Sequence, residues 1–193
     1  ALPLIGIGML LKQFSKEKFA HTGVVFTGFG LLFVGIQFLQ EGMSDLSKTI
    51  DPAKYAGDTF FSMLLLVFIG IVMTIIMQSS SAAVATTITV LASGVIHLEQ
   101  AVLLVIGQNI GTTLTTAIAA IGASTPAKRT ALSHILFNVG TGIITLACLP
   151  VIMKGLNSLS QIMSLDDPAL LLALFHTFFS LFGIMIFTPF IRQ

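Results

Sequence analysis

The fold is decided by residues 59–96, which read TFFSMLLLVFIGIVMTIIMQSSSAAVATTITVLASGVI. Two apolar legs flank four consecutive polar side chains, Gln78-Ser79-Ser80-Ser81. About 20 apolar residues cross a hydrocarbon core of ~30 Å, and irregular backbone at that depth is tolerated only where it is buried in protein or lines a cavity. We therefore predict a re-entrant helical hairpin over residues 59–96, with a full pair of spans as the alternative.

The rest of the chain has the composition of a membrane protein. Of its 193 residues, 55% are hydrophobic and 9% are charged, against about 25% charged in an ordinary soluble domain. Residues 1–21 are expected to be the end of a preceding helix and a basic loop. Further helices are expected over 22–40, 101–121, 130–152 and 169–191. The sequence thus predicts an all-α integral membrane protein.

The distribution of cations supports the hairpin. Lys and Arg near span ends favour the cytoplasm, and a hairpin over residues 59–96 places six of the nine cations on one side. A single crossing by the same residues would divide the cations four against five. The predicted cytoplasmic cations are Lys12, Lys16, Lys18, Lys128, Arg129 and Arg192, whereas Lys48, Lys54 and Lys154 face the other side.

A second polar cluster follows the hairpin, with the sequence Gly107-Gln108-Asn109-Ile110-Gly111-Thr112-Thr113 and then Thr115 and Thr116. We expect a broken helix over 101–121. Broken helices expose N–H groups and a positive dipole end to an anion, while freed carbonyls and hydroxyls can bind a hard cation such as sodium. The alternative is that Ser, Thr and Gly in these clusters only let helices pack closely.

No Lys or Arg lies inside a predicted span, so a bound anion would have no fixed counter-charge. A desolvated charge needs a partner. Sodium ions bound beside the anion could supply it, and the two ligands would then strengthen each other's binding.

Together, these motifs resemble the type II sodium/phosphate cotransporter family. The resemblance rests on Gln78–Ser81, Gly107–Thr113, His134 and Phe137-Asn138, and it covers roughly residues 22–190. It is greatest to the second of two inverted repeats in the bacterial members. The family's fold implies that residues 22–193 form one transport repeat, half of an inverted-repeat transporter.

The resemblance also implies roles for individual residues. Contact with phosphate is implied for Ser79, Ser80 and Ser81. A sodium site is implied for Gln78, Ser79, Ser80, Thr112 and Thr115. The supporting helix break is implied at Gln108, Asn109, Gly111 and Thr113. One position departs from the family's pattern, because Gln108 stands where the family usually has a small residue such as Ala or Ser.

The function implied is sodium-coupled symport of inorganic phosphate across the cell membrane, with the bacterial inner membrane expected. The implied partners are phosphate, sodium, the lipid bilayer and a second, N-terminal repeat missing from this chain. No cofactor other than sodium as the coupling ion is expected, and no enzymatic activity. The preferred anion, the sodium stoichiometry, the formation of homo-oligomers and the roles of His134 and His176 are left open.

Other functions are weighed against this one. An ion channel also lines its pore with hydroxyl and amide groups, and transport of another small anion fits the same residues. A serine hydrolase is disfavoured because no G-x-S-x-G motif occurs and no histidine lies within the hairpin sequence. The net charge of +1 gives no sign of a nucleic-acid partner. The single cysteine, Cys148, permits no internal disulfide and is expected to be a small packing residue.

Overall fold

A computed structural model describes residues 1–14, 17–47 and 59–190. The described residues form eight α-helices and a final 3-10 turn. The helices are α1 (Leu2–Phe14), α2 (Glu17–Ser47), α3 (Phe60–Met77), α4 (Ser80–Ala92), α5 (Leu98–Ala119), α6 (Thr125–Ala147), α7 (Leu149–Met163) and α8 (Pro168–Phe187), and the turn is Thr188–Phe190. Within the described ranges, α3, α5, α6, α8 and the part of α2 from Phe19 to Phe38 are long and apolar enough to cross a membrane. The prediction of an all-α, multi-pass membrane protein is confirmed.

The hairpin region forms two helices that meet at Gln78 and Ser79. α3 begins with a capping box, in which the Ser62 N–H donates to Thr59 Oγ1 at 3.3 Å and the Thr59 N–H donates to Ser62 Oγ at 3.2 Å. α4 has 13 residues, which rise ~20 Å and are too few to cross ~30 Å of hydrocarbon. This length fits a re-entrant leg.

α3 and α5 run parallel and approach each other at glycines. A methyl group added at Gly107 would overlap the carbonyl oxygen of Val67, and one added at Gly111 would lie 2.8 Å from that of Ile71, so the contacts advance by one turn in the same direction on both helices. The link over residues 93–97 joins the end of α4 to the start of α5. α4 therefore runs antiparallel to both of its neighbours, as a hairpin requires.

The core is centred on α5. Every residue from 100 to 108 is buried, which is typical of a helix surrounded by others. α3, α4, α6 and α8 pack around it, and α8 also contacts α4 and α6. α1 packs along α2, and α2 reaches the rest of the protein through α4. α3 and α5 thus form the centre of the structure, and α4 packs against it.

Several predicted boundaries are wrong. α2 begins at Glu17, so the predicted basic loop is partly helical. The predicted span over 130–152 is divided, because α6 ends at Ala147 and α7 begins at Leu149. Pro150 lies in the first turn of α7, where its missing N–H costs nothing. Cys148 lies exposed at this junction and is not a core residue.

The predicted orientation in the membrane stays a prediction. Four of the cations on which it depends lie outside the described residues, namely Lys16, Lys48, Lys54 and Arg192.

Candidate functional site

The hairpin tip is formed by Gln78 and the serines that follow it. Gln78 ends α3 in a left-handed conformation, with φ 51° and ψ 23°, which costs a residue other than glycine roughly 1–2 kcal/mol. Ser79 is extended and caps α4, its Oγ accepting a hydrogen bond of 3.2 Å from the N–H of Ala82. Backbone strain of this kind is concentrated at functional sites.

The first turn of α4 presents backbone donors at this tip. The first N–H groups of an α-helix have no intrahelical acceptor, so those of Ser80 and Ser81 point out of the helix N-terminus, where the helix dipole favours negative charge. The side chains of Gln78 and Ser81 are exposed, and those of Ser79 and Ser80 are half-buried. A cavity of about 370 Å³ separates the tip from α2. Its walls include Ser79, Ser81 and Thr86 on one side and Leu32, Gly35 and Ile36 on the other.

The predicted helix break in the second polar cluster is wrong, because α5 is a continuous helix. The residues assigned to the break were Gln108, Asn109, Gly111 and Thr113. The Asn109 side chain donates to the carbonyl oxygen of Val105 at 2.9 Å, one turn back in the same helix. The glycines of the cluster allow α3 to approach. The glycines of α5 therefore serve close packing, as the alternative interpretation expected for them, whereas the role of the threonines stays a prediction.

The predicted sodium ligands on α5 lie level with the hairpin tip. Thr74 Oγ1 of α3 donates to the main-chain oxygen of Gln108 of α5 at 3.1 Å. Gln78 lies one helical turn beyond Thr74, and Thr112 lies one turn beyond Gln108. Because the two helices are parallel, Gln78 and Thr112 reach the same depth, and Thr115 follows within one further turn.

The hydroxyls of these threonines are oriented by α5 itself. Thr112 Oγ1 donates to the main-chain oxygen of Gln108 at 3.0 Å, and Thr115 Oγ1 donates to that of Thr112 at 2.8 Å. A hydroxyl oxygen that donates its hydrogen keeps two lone pairs. The hydroxyl oxygens of Thr112 and Thr115 can therefore act as ligands for a cation.

Gln108 occupies the position at which the sequence departs from the family's pattern. Its side chain is 0% exposed. Nε2 donates to Thr87 Oγ1 at 2.7 Å and to the carbonyl oxygen of Ala83 at 3.2 Å, both on α4. Oε1 is buried without a hydrogen-bond partner among the described residues. The side chain of Gln108, which is larger than the residue usual in the family, therefore points toward α4. It contacts α4 one to two helical turns after Ser79.

Two histidines lie within the apolar spans. His134 Nδ1 of α6 lies 3.1 Å from Thr116 Oγ1 of α5, and that hydroxyl donates to the main-chain oxygen of Thr112 at 3.2 Å. His134 is thus joined to the turn of α5 that carries the predicted sodium ligands. His176 is half-buried on α8, where its carbonyl oxygen accepts from Ser180 Oγ at 3.1 Å. Sequence reasoning named both histidines but neither contact.

The fold and the tip define a class of protein. Polar, discontinuous helices among apolar membrane helices are found in many secondary transporters. The sequence model described as Na+/Pi-cotransporter matches residues 59–185, which contain both polar clusters and His134. The chain belongs to the Na+/Pi-cotransporter family.

Three curated proteins are similar to the chain, and the names of two of them mention phosphate. The chain is 32% identical over 190 residues to "Uncharacterized protein YqeW" of Bacillus subtilis (strain 168), covering 96% of this chain and 59% of that protein. It is 29% identical over 189 residues to "Putative inorganic phosphate export protein YjbB" of Escherichia coli (strain K12), covering 97% of this chain and 34% of that protein. It is 39% identical over 128 residues to "Sodium-dependent phosphate transport protein 2B" of Homo sapiens, covering 60% of this chain and 18% of that protein. No solved structure matches the chain.

Proposed function

We propose that this chain forms one repeat of a sodium-coupled transporter of inorganic phosphate. The family and the names of two relatives support the substrate and the coupling ion. The observation that carries the proposal is the hairpin tip, where a helix N-terminus and three serines lie level with the threonine hydroxyls of α5.

Phosphate would bind at the N-terminus of α4. The N–H groups of Ser80 and Ser81 and the hydroxyls of the tip are donors for its oxygens, and the helix dipole adds to their effect. Because Ser79 Oγ is the acceptor of the Ala82 N–H, its hydroxyl hydrogen stays available for the ligand.

Charge balance explains why sodium belongs to the same site. No Lys or Arg occurs between residues 59 and 127, so α3, α4 and α5 supply no cationic side chain. A desolvated phosphate without a counter-charge is strongly unfavourable. Sodium held by the predicted ligands supplies the charge, and each ligand then strengthens the binding of the other. Those ligands are Gln78, Ser79, Ser80, Thr112 and Thr115.

A second repeat completes the site in this proposal. The side chains of Gln78 and Ser81 are exposed in the described structure, and inverted-repeat transporters bind their substrates at the interface between repeats. The chain spans 59% of the Bacillus relative and 34% of the Escherichia relative. A second repeat of the same polypeptide, or a second copy of the chain, would supply the opposing surface.

The test is thermal stabilisation of the purified full-length protein by its ligands. Phosphate, arsenate and sulfate are compared, each in sodium and in potassium. We expect phosphate and its analogue arsenate to raise the melting temperature only in sodium. Equal stabilisation in potassium would contradict sodium coupling, and preference for sulfate would contradict phosphate as substrate. Flux that does not saturate with phosphate would favour an ion channel.

Thr112→Val then separates the two ligands. The change removes a hydroxyl oxygen and keeps the shape of the side chain, and loss of one cation ligand should cost about 1–3 kcal/mol, or about ten- to hundredfold in affinity. Phosphate affinity should fall at limiting sodium and recover at saturating sodium. Ser80→Ala removes a proposed contact with the anion itself, so saturating sodium should restore its phosphate affinity less than that of Thr112→Val. Unchanged sodium dependence in Thr112→Val would refute the cation role.

A further inference from the structure

Gln108 contacts both helices of the hairpin through its main-chain oxygen and its side-chain amide, and the amide also lies 3.8 Å from Met73 Sδ of α3. Its main-chain oxygen accepts from Thr74 Oγ1 of α3 at 3.1 Å. Its side-chain amide donates to Thr87 Oγ1 at 2.7 Å and to the carbonyl oxygen of Ala83 at 3.2 Å on α4. Thr87 is 1% exposed, and Gln108 is 0% exposed. One buried residue of α5 therefore joins the two helices that meet at the tip.

The stability of the core does not explain this amide. Gln108 Oε1 is buried without a partner among the described residues, and an unsatisfied buried acceptor costs free energy. An apolar side chain of similar length would avoid that cost and fill the same space. What the amide adds is a pair of hydrogen bonds to α4, at 2.7 and 3.2 Å, beside the longer contact of 3.8 Å to Met73 Sδ of α3.

We propose that Gln108 is a positioning residue that sets the depth and rotation of α4 against α5. It thereby fixes the distance between the serines of the tip and Thr112. Ala83 lies one turn and Thr87 two turns into α4 from Ser79, so a shift of α4 at these contacts is carried to the tip by a rigid helix. The inference rests on the proposed sodium and phosphate site and assigns to that site a residue that touches neither ligand.

The variants are chosen to cut the contact without changing the packing. Thr87→Val removes the acceptor of the shorter hydrogen bond, and Thr87→Ser keeps it. Gln108→Met removes the amide together with its unpartnered oxygen. Thr89→Val is the matched control, because Thr89 is 2% exposed on the same helix and its hydroxyl donates to the carbonyl oxygen of Ala85 within α4, at 2.9 Å.

The first measurement is amide hydrogen exchange in the full-length protein, which requires no transport. We expect α4 to exchange about three- to tenfold faster in Thr87→Val and Gln108→Met than in the wild type. α4 should exchange at the wild-type rate in Thr87→Ser and Thr89→Val, and α3 should be unchanged in the variants of Thr87 and Thr89, which leave the contact of Gln108 with Met73 in place. Equal exchange of α4 in all five proteins would overturn the proposal, even if sodium-driven phosphate uptake is found.

The second measurement is phosphate uptake against sodium concentration in proteoliposomes. Thr87→Val and Gln108→Met should raise the sodium concentration for half-maximal uptake about three- to tenfold, with the maximal rate per folded protein changed less than about twofold. A lower maximal rate with unchanged sodium activation would indicate a packing defect and overturn the positioning role. Absence of sodium-dependent uptake in the wild type would refute the proposed function, and hydrogen exchange would then decide the inference alone.

Discussion

The two helices of the hairpin are attached to α5 in different ways. α3 packs backbone against backbone, since a methyl group added at Gly107 would overlap the carbonyl oxygen of Val67. α4 packs into the core with Val84 and Leu91 and is hydrogen-bonded to α5 through a side chain, the amide of Gln108. Backbones in direct contact leave no room for adjustment, whereas a side-chain hydrogen bond can be broken and remade. We therefore regard α3 as the fixed half of the hairpin and α4 as the adjustable half.

The largest effect is expected when the fixed half is broken by Gly107→Ala. The added Cβ must displace the backbone of Val67, and overpacking of this kind costs up to about 3 kcal/mol. The melting temperature of the purified protein should fall by several degrees. Gly155→Ala is the control, because a Cβ there meets open space and alanine favours a helix over glycine by about 0.5–1 kcal/mol. A Gly107→Ala protein as stable as the wild type would show that backbone contact does not fix α3.

A smaller and separable effect is expected at Gln78, where the fixed and adjustable halves meet. Glycine adopts its φ of 51° without strain, so Gln78→Gly should leave the free energy of unfolding unchanged to within about 1 kcal/mol. The same change removes a predicted sodium ligand and should weaken sodium binding about tenfold. Melting and sodium-dependent phosphate binding are measured on the same sample. If Gln78→Gly lowers the melting temperature but leaves the sodium dependence of phosphate binding unchanged, Gln78 has a structural role and is not a sodium ligand.

The smallest effect on sodium activation is expected for Thr74→Val, the counterpart of Thr87→Val on α3. Thr74 is 1% exposed and bonds to the main-chain oxygen of Gln108. Because glycine contacts hold α3 without this bond, its loss should cost about 0.5–1.5 kcal/mol of stability and leave sodium activation unchanged. If Thr74→Val shifts sodium activation as much as Thr87→Val does, the two halves do not differ.

The position of the hairpin could be predicted because its signal is local. Four polar residues between apolar legs mark a junction, and the structure ends α3 at Met77 and caps α4 with Ser79. The break in α5 was predicted wrongly because glycine serves both breaks and close packing. The spacing of four between Gly107 and Gly111 is a known signal of helix contact and would have favoured packing.

Other features depended on the tertiary structure or on an overlooked signal. The end of α6 could have been placed from Pro150, since proline is favoured in the first turn of a new helix. The contact between Gln108 and Thr87 could not have been predicted from the sequence, because the two residues lie 21 positions apart on different helices. From the sequence, Gln108 was only a bulky residue at an unusual position. The roles of Gln78, Thr112 and Thr115 as sodium ligands stay predictions.

The shortness of α4 has an electrical consequence. Its 13 residues rise ~20 Å, so an α4 that lies along the membrane normal and ends at the surface of a ~30 Å hydrocarbon core places the tip at least about two thirds of the way across. The 18 residues of α3 would place it deeper. An elementary charge moved through 100 mV changes in energy by ~2.3 kcal/mol. A sodium ion that binds at the tip from the side on which α4 ends would therefore change its binding energy by at least about 1.5 kcal/mol per 100 mV in a uniform field, which is about tenfold in affinity. The sodium concentration for half-saturation, measured at two voltages, would give the fraction of the membrane potential that the ion crosses to reach the tip. A half-saturation that does not change with voltage would place the tip at a membrane surface. The length of one helix thus determines how strongly the site senses the membrane potential.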